Sequence, residues 1–183
     1  FNDEGDIEGG DLKTTTWRSG PVEGTKADGT TKKSYSIVSF NADGNPTLSY
    51  TWNYKLDSTL RDFSKSDFSG VSFNDEGDIE GGDLKTTTWR EGPVEGSKSD
   101  GTTKKSYSIV SFNADGNPST SYTWNYKLDG SLRDFSKSDF SGVSFNDEGD
   151  IEGGDLKTTT WREGPVEGSK TDGTTKKSYS IVS

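Results

Sequence analysis

Five acidic residues crowd nine positions near the start of the chain: Asp3, Glu4, Asp6, Glu8 and Asp11, interleaved with Gly5, Gly9 and Gly10. The segment recurs as Asp75, Glu76, Asp78, Glu80 and Asp83, and again as Asp147, Glu148, Asp150, Glu152 and Asp155. Carboxylates alternating with glycines can wrap oxygens around a hard cation. Calcium takes about six to eight oxygens in a flexible arrangement, and glycine permits the sharp turns this needs. These acids are the candidate calcium ligands. Their spacing is not that of an EF-hand loop, because the terminal Glu is missing. The competing reading is a solvated acidic turn that keeps the protein soluble and blunts a sheet edge.

Other chemistry is sharply limited. The chain has no Cys, no His and no Met. A thiol nucleophile, a disulfide framework, a Cys/His zinc site and a Ser-His-Asp triad are excluded, and any metal must be held by oxygen. Carboxylate pairs of the glycosidase kind are available in number, but nothing singles out two of them. The chain reads as a non-enzyme. A formal net charge of −10 disfavours nucleic acid, whose phosphates call for clustered Lys and Arg. No apolar run approaches the ~20 residues of a membrane span. With no initiator Met, the sequence reads as an internal piece of a longer or processed chain.

Trp17, Trp52, Trp89, Trp124 and Trp161, with Tyr50 and Tyr54, are candidates for sugar-stacking platforms. The stronger reading places these rings in the core, because so few aliphatic residues are available to fill it. Lys32-Lys33 and its copies read as solvated or edge-protecting charge, with a Lys–Asn or Lys–Asp crosslink as the chemical alternative.

The elements that position these residues are repeats. FNDEGDIEGGDLKTTTWR begins at residues 1, 73 and 145, a period of 72 residues. Copy two differs from copy one at seven positions: 19, 25, 27, 47, 48, 58 and 59. Most are polar swaps. Leu48/Thr120 is the exception, and it marks a position that is not deeply buried. A fainter symmetry matches Phe1-Asn2-Asp3-Glu4-Gly5 to Phe40-Asn41-Ala42-Asp43-Gly44. It divides the repeats into halves: 1–39 (A) and 40–72 (B), 73–111 (A) and 112–144 (B), then 145–183 as a lone A half. The order is A-B-A-B-A.

The local pattern is strand and turn. Residues 34–40 are rich in β-formers, and Asn41 to Pro46 breaks them. Residues 47–55 then alternate, with Leu48, Tyr50, Trp52 and Tyr54 on one face. This predicts a hairpin. A second is predicted from 68–73, a turn over 74–82 and a strand over 84–90. Residues 56–68 read as strand and loop with at most one helical turn. The fold class expected is all-β: a tandem-repeat array of antiparallel β half-units, solenoid-like or as stacked small sheets, with three or four strands in each half. Only 25% of residues are apolar, which suggests disorder, but 5 Trp, 7 Tyr and 9 Phe argue for packed layers. Units too small to fold alone are stabilised by their neighbours in such arrays.

Ser39-Phe40-Asn41-Ala42-Asp43-Gly44-Asn45-Pro46 resembles the turn of bacterial tyrosine-aspartate (YD/Rhs-type) repeats, with Phe-Asn in place of Tyr-Asp. More broadly, the near-identical repeats, acidic glycine turns and lack of Cys resemble bacterial extracellular tandem-repeat adhesins and matrix fibres. The resemblance implies a cell-surface or extracellular location and use of calcium. The role expected is a structural fibre or adhesin extender. Its partner would be further copies of itself, joined by strand addition into a homo-oligomer or filament. The rival role is a multivalent carbohydrate-binding repeat protein.

Overall fold

The structure is a computed structural model, and it describes residues 7–21, 23–146 and 148–183. The fold is all-β, with ten strands and no helix among the described residues. The strands are β1 (Gly10–Ser19), β2 (Thr30–Phe40), β3 (Pro46–Tyr54), β4 (Leu60–Phe73) and β5 (Ile79–Glu91). They continue as β6 (Thr102–Phe112), β7 (Pro118–Tyr126), β8 (Leu132–Phe145), β9 (Ile151–Glu163) and β10 (Thr174–Val182). They are hydrogen-bonded in sequence order from β1 to β10. Each half contributes two strands, not the three or four expected, because the strands run long. β4, for example, takes 14 residues.

The chain forms two compact units. Among the described residues, the first lies within 1–67 and 88–104, and the second within 68–87 and 105–183.

The turns show why the faint internal symmetry exists. Asn41 N–H donates to Asn45 O at 2.9 Å, and Gly44 N–H donates to Asn41 O at 3.2 Å. The Asn41 side-chain oxygen accepts from the N–H groups of Asp43 at 3.1 Å and Asn45 at 2.9 Å. The turn at Asn74 repeats this bonding, with Asn74 Oδ1 accepting from Glu76 at 3.0 Å and Asp78 at 2.8 Å. Asn is the residue that mimics a backbone turn with its own side chain, and that is what Phe-Asn-x-x-Gly encodes. The second hairpin turn is shorter than expected, ending at Asp78. Strand β5 begins at Ile79 and runs through Gly81 and Gly82, which the sequence pattern reads as breakers.

In the first unit, β2, β3 and β4 pair antiparallel. Tyr35 lies opposite Trp52, and Trp52 lies opposite Phe63. Their alternation puts Ile37, Tyr50, Trp52, Phe63 and Trp89 in one buried cluster, with Tyr35, Leu48, Tyr54 and Leu60 packed on it. Ring centroids are 4.9 Å apart for Trp52–Phe63 and 5.5 Å for Phe63–Trp89. Such contacts add to simple area burial. The second unit repeats the cluster with Ile109, Tyr122, Trp124, Phe135 and Trp161. Leu48 and Thr120 are both half-buried, in keeping with the reading of that position.

The loop from Lys55 to Thr59 closes the β3–β4 hairpin. Ser58 sits there at φ 63°, whereas Gly130 holds the same place in copy two at φ 79°. A side chain in this left-handed region carries a steric cost that glycine avoids. The Ser58→Gly chain is expected to be more stable by about 0.5–1 kcal/mol. Urea denaturation with an unchanged m-value checks this.

Candidate functional site

A one-layer aromatic face needs a cover. In the first unit the cover is the loop 92–101 between β5 and β6. Trp52 Nε1–H donates to Pro93 O at 3.0 Å. The Tyr54 hydroxyl donates to a Glu95 carboxylate oxygen. Lys65 Nζ donates to Asp100 Oδ1 at 2.9 Å. The second unit uses the same atoms: Trp124 to Pro165 at 3.1 Å, Tyr126 to Glu167, and Lys137 to Asp172 at 3.0 Å.

Two glycines let the loop approach. A Cβ on Gly92 would lie 2.7 Å from Phe63 Cβ, and one on Gly101 would lie 2.8 Å from Trp89 Cβ. Phe63 is thereby fully buried (0% exposed). Trp52 and Trp124 are each 1% exposed, and Trp89 and Trp161 are at 7% and 6%. Of the seven candidate sugar platforms, Trp52, Trp89, Trp124, Trp161 and Tyr50 therefore lie in the core, and Trp17 and Tyr54 are half-buried.

The acidic segments are placed differently from one another. Asp3, Glu4, Asp6 and Asp147 lie outside the described residues. Glu8, Asp75, Glu76, Asp78, Glu80, Glu148, Asp150 and Glu152 are exposed. Asp11, Asp83 and Asp155 point to other partners. Asp11 accepts from Ser39 Oγ at 2.9 Å and Lys98 Nζ at 2.6 Å. Asp83 accepts from Ser111 Oγ at 2.8 Å and Lys170 Nζ at 2.5 Å. Asp155 accepts from Ser183 Oγ at 2.6 Å. Lys98 and Lys170 belong to the covering loops, so Asp11 and Asp83 are anchors for those loops. Among the described residues, no group of three or more acids is gathered to hold a metal ion.

Several important residues carry no sequence signal. Asp134 is buried, and its carboxylate accepts from Asn125 Nδ2 at 2.8 Å, Arg133 Nε at 3.1 Å and Lys177 Nζ at 3.3 Å. Asp62 is buried likewise, held by Asn53 Nδ2 at 2.9 Å and Arg61 Nε at 3.1 Å. A buried carboxylate needs such partners. The sequence reading of Lys32 as solvated or edge-protecting charge does not include the contacts it makes. Its Nζ lies 2.7 Å from Glu95 Oε1 and near three aromatic rings.

The electrostatics follow from these contacts. Lys98 and Ser39 hold the Asp11 carboxyl below its ordinary value of 3.8. Burial pushes Asp83 and Glu95 up, but the opposing bonds outweigh it: Lys170 and Ser111 on Asp83, Lys32 and Tyr54 on Glu95. Both end below their ordinary values of 3.8 and 4.5. Burial and then the Glu95 carboxylate push the Tyr54 hydroxyl up.

No protein-family model and no curated protein sequence matches the chain. No helix among the described residues is long and apolar enough to cross a membrane.

The depressed carboxyls set a pH dependence. As the pH falls, the unfolded chain takes up protons before the folded one does. The stability these groups provide is therefore present above the ordinary carboxyl range and lost as the pH falls through their lower folded values. The melting temperature is expected to hold from about pH 7 to pH 5 and to fall below about pH 4. Thermal melts across that range check it, and a melting temperature that is flat to pH 2.5 contradicts it.

Proposed function

We propose that this chain is a structural scaffold, a segment of an extracellular fibre or the extender of an adhesin, built from near-identical β repeats that associate with further copies by strand addition. The observation that carries this reading is the duplicated cover. Two aromatic clusters made of equivalent residues are closed by loops that use equivalent bonds, so the A half that follows each repeat covers the sheet face of the repeat before it. Repetition then adds length without any new packing solution. The four buried Trp rings favour this reading over a row of sugar platforms. The lack of Cys and the net charge of −10 suit a soluble extracellular chain.

A length series tests the scaffold. Chains of one, two and three full repeats are expected to melt at rising temperatures and with rising denaturant m-values. Electron micrographs of concentrated samples are expected to contain filaments. Length-independent melting, together with monomers alone, would remove the proposal.

The acidic turns are the part of this reading that uses calcium. Millimolar calcium is expected to raise the melting temperature and chelator to reverse the rise. Equal melting temperatures in both would remove calcium from the reading and leave the scaffold standing.

A further inference from the structure

Lys32 is held in an unusual way for a residue at the start of a strand. Its Nζ lies 5.9 Å from the Trp17 ring centroid, 5.7 Å from that of Tyr35 and 5.8 Å from that of Tyr54. The Glu95 carboxylate accepts from it at 2.7 and 3.0 Å. Tyr54 also donates to Glu95, which fixes the carboxylate against the rings. An open pocket of about 340 Å³ adjoins the ammonium, lined by Trp17, Thr31, Lys32, Tyr54, Ser58 and Glu95. Three aromatic faces and one carboxylate around a cation make up the chemistry that recognises organic ammonium ions.

We propose that Trp17, Tyr35, Tyr54 and Glu95 form a binding site for methylated or quaternary ammonium groups, with Lys32 as its built-in occupant. The pocket gives an external cation a route to the rings. A quaternary ammonium cannot donate hydrogen bonds, but it is more weakly hydrated than the Lys32 ammonium and is more readily stripped of water. It displaces the lysine from the cage and takes over its charge pairing with Glu95. A neutral sugar would gain nothing from the carboxylate, so the arrangement favours a cation. Because Lys32 already fills the cage, it lowers the apparent affinity by the fraction of time it is in place. The sequence repeats the same five residue types one period later, as Trp89, Lys104, Tyr107, Tyr126 and Glu167.

Tetramethylammonium chloride serves as the probe on the whole 183-residue chain, followed by nuclear magnetic resonance, with sodium chloride and neopentyl alcohol as controls. In Lys32→Ala the Trp17, Tyr35 and Tyr54 ring resonances are expected to shift, with a Kd at least about tenfold lower than in the unaltered chain. Adding Glu95→Gln to that variant is expected to weaken binding again. A second measurement needs no variant. In the unaltered chain the Lys32 ε-methylene signal, shielded by three rings, is expected to move downfield as the probe displaces it. Ring shifts no larger than with sodium chloride would overturn the site. An equal response to neopentyl alcohol, or an ε-methylene signal that does not move at saturating probe, would overturn the displacement of Lys32 by a cation.

Discussion

The structure depends on one constraint: a single-layer sheet with an aromatic face must bury that face without a second sheet. The cover is a ten-residue loop drawn across the rings. A loop is a poor source of apolar area, and the rings also pack on one another, stacked or tilted, across adjacent strands. The loop closes what is left. Its glycines let backbone rest directly on Phe63 and Trp89, and its polar groups answer those that the sheet presents. The indole N–H of Trp52 would be left unsatisfied beneath an apolar lid, and the Pro93 carbonyl meets it.

The same constraint decides what the charges do. Lys32, Lys65 and Lys98 each bind a carboxylate that ties loop to sheet, in every case across a long stretch of sequence. Asp11 and Asp83 look from the sequence like members of an acidic cation loop. In the fold they face a serine of the neighbouring strand and a lysine of the cover. Among the described acids of those segments, Glu8, Asp75, Glu76, Asp78 and Glu80 are exposed.

Much of the architecture was legible in the residues. The period-two pattern from Leu48 to Tyr54 placed Trp52 and Tyr50 on the buried face, and Phe-Asn-x-x-Gly marked turns that share one hydrogen-bonding pattern. The segment 56–68 gave a weaker signal because its Ser and Asp residues have no clear period. It resolves into a short loop and the start of β4, where Phe63 anchors the core. The turn after Phe73 is shorter than the sequence pattern predicts, because Gly81 and Gly82 are accommodated within β5. The covering loops were invisible as covers. Gly-Pro and Asp-Gly mark a loop, but its contacts lie some 35 to 87 residues away, and local pattern carries no information about them.

The sequence by itself determined the repeat, the strand class, the turn chemistry and the absence of thiol and imidazole chemistry, because each of these is a matter of composition or of neighbours along the chain. Tertiary structure alone decided which face is covered and by what, that Trp17 stays half-buried while the other four tryptophans are core, that Asp62 and Asp134 are buried and paired, and that Lys32 sits among three rings. Each of those depends on bringing together residues far apart in sequence, and only the registered pairing of strands does that.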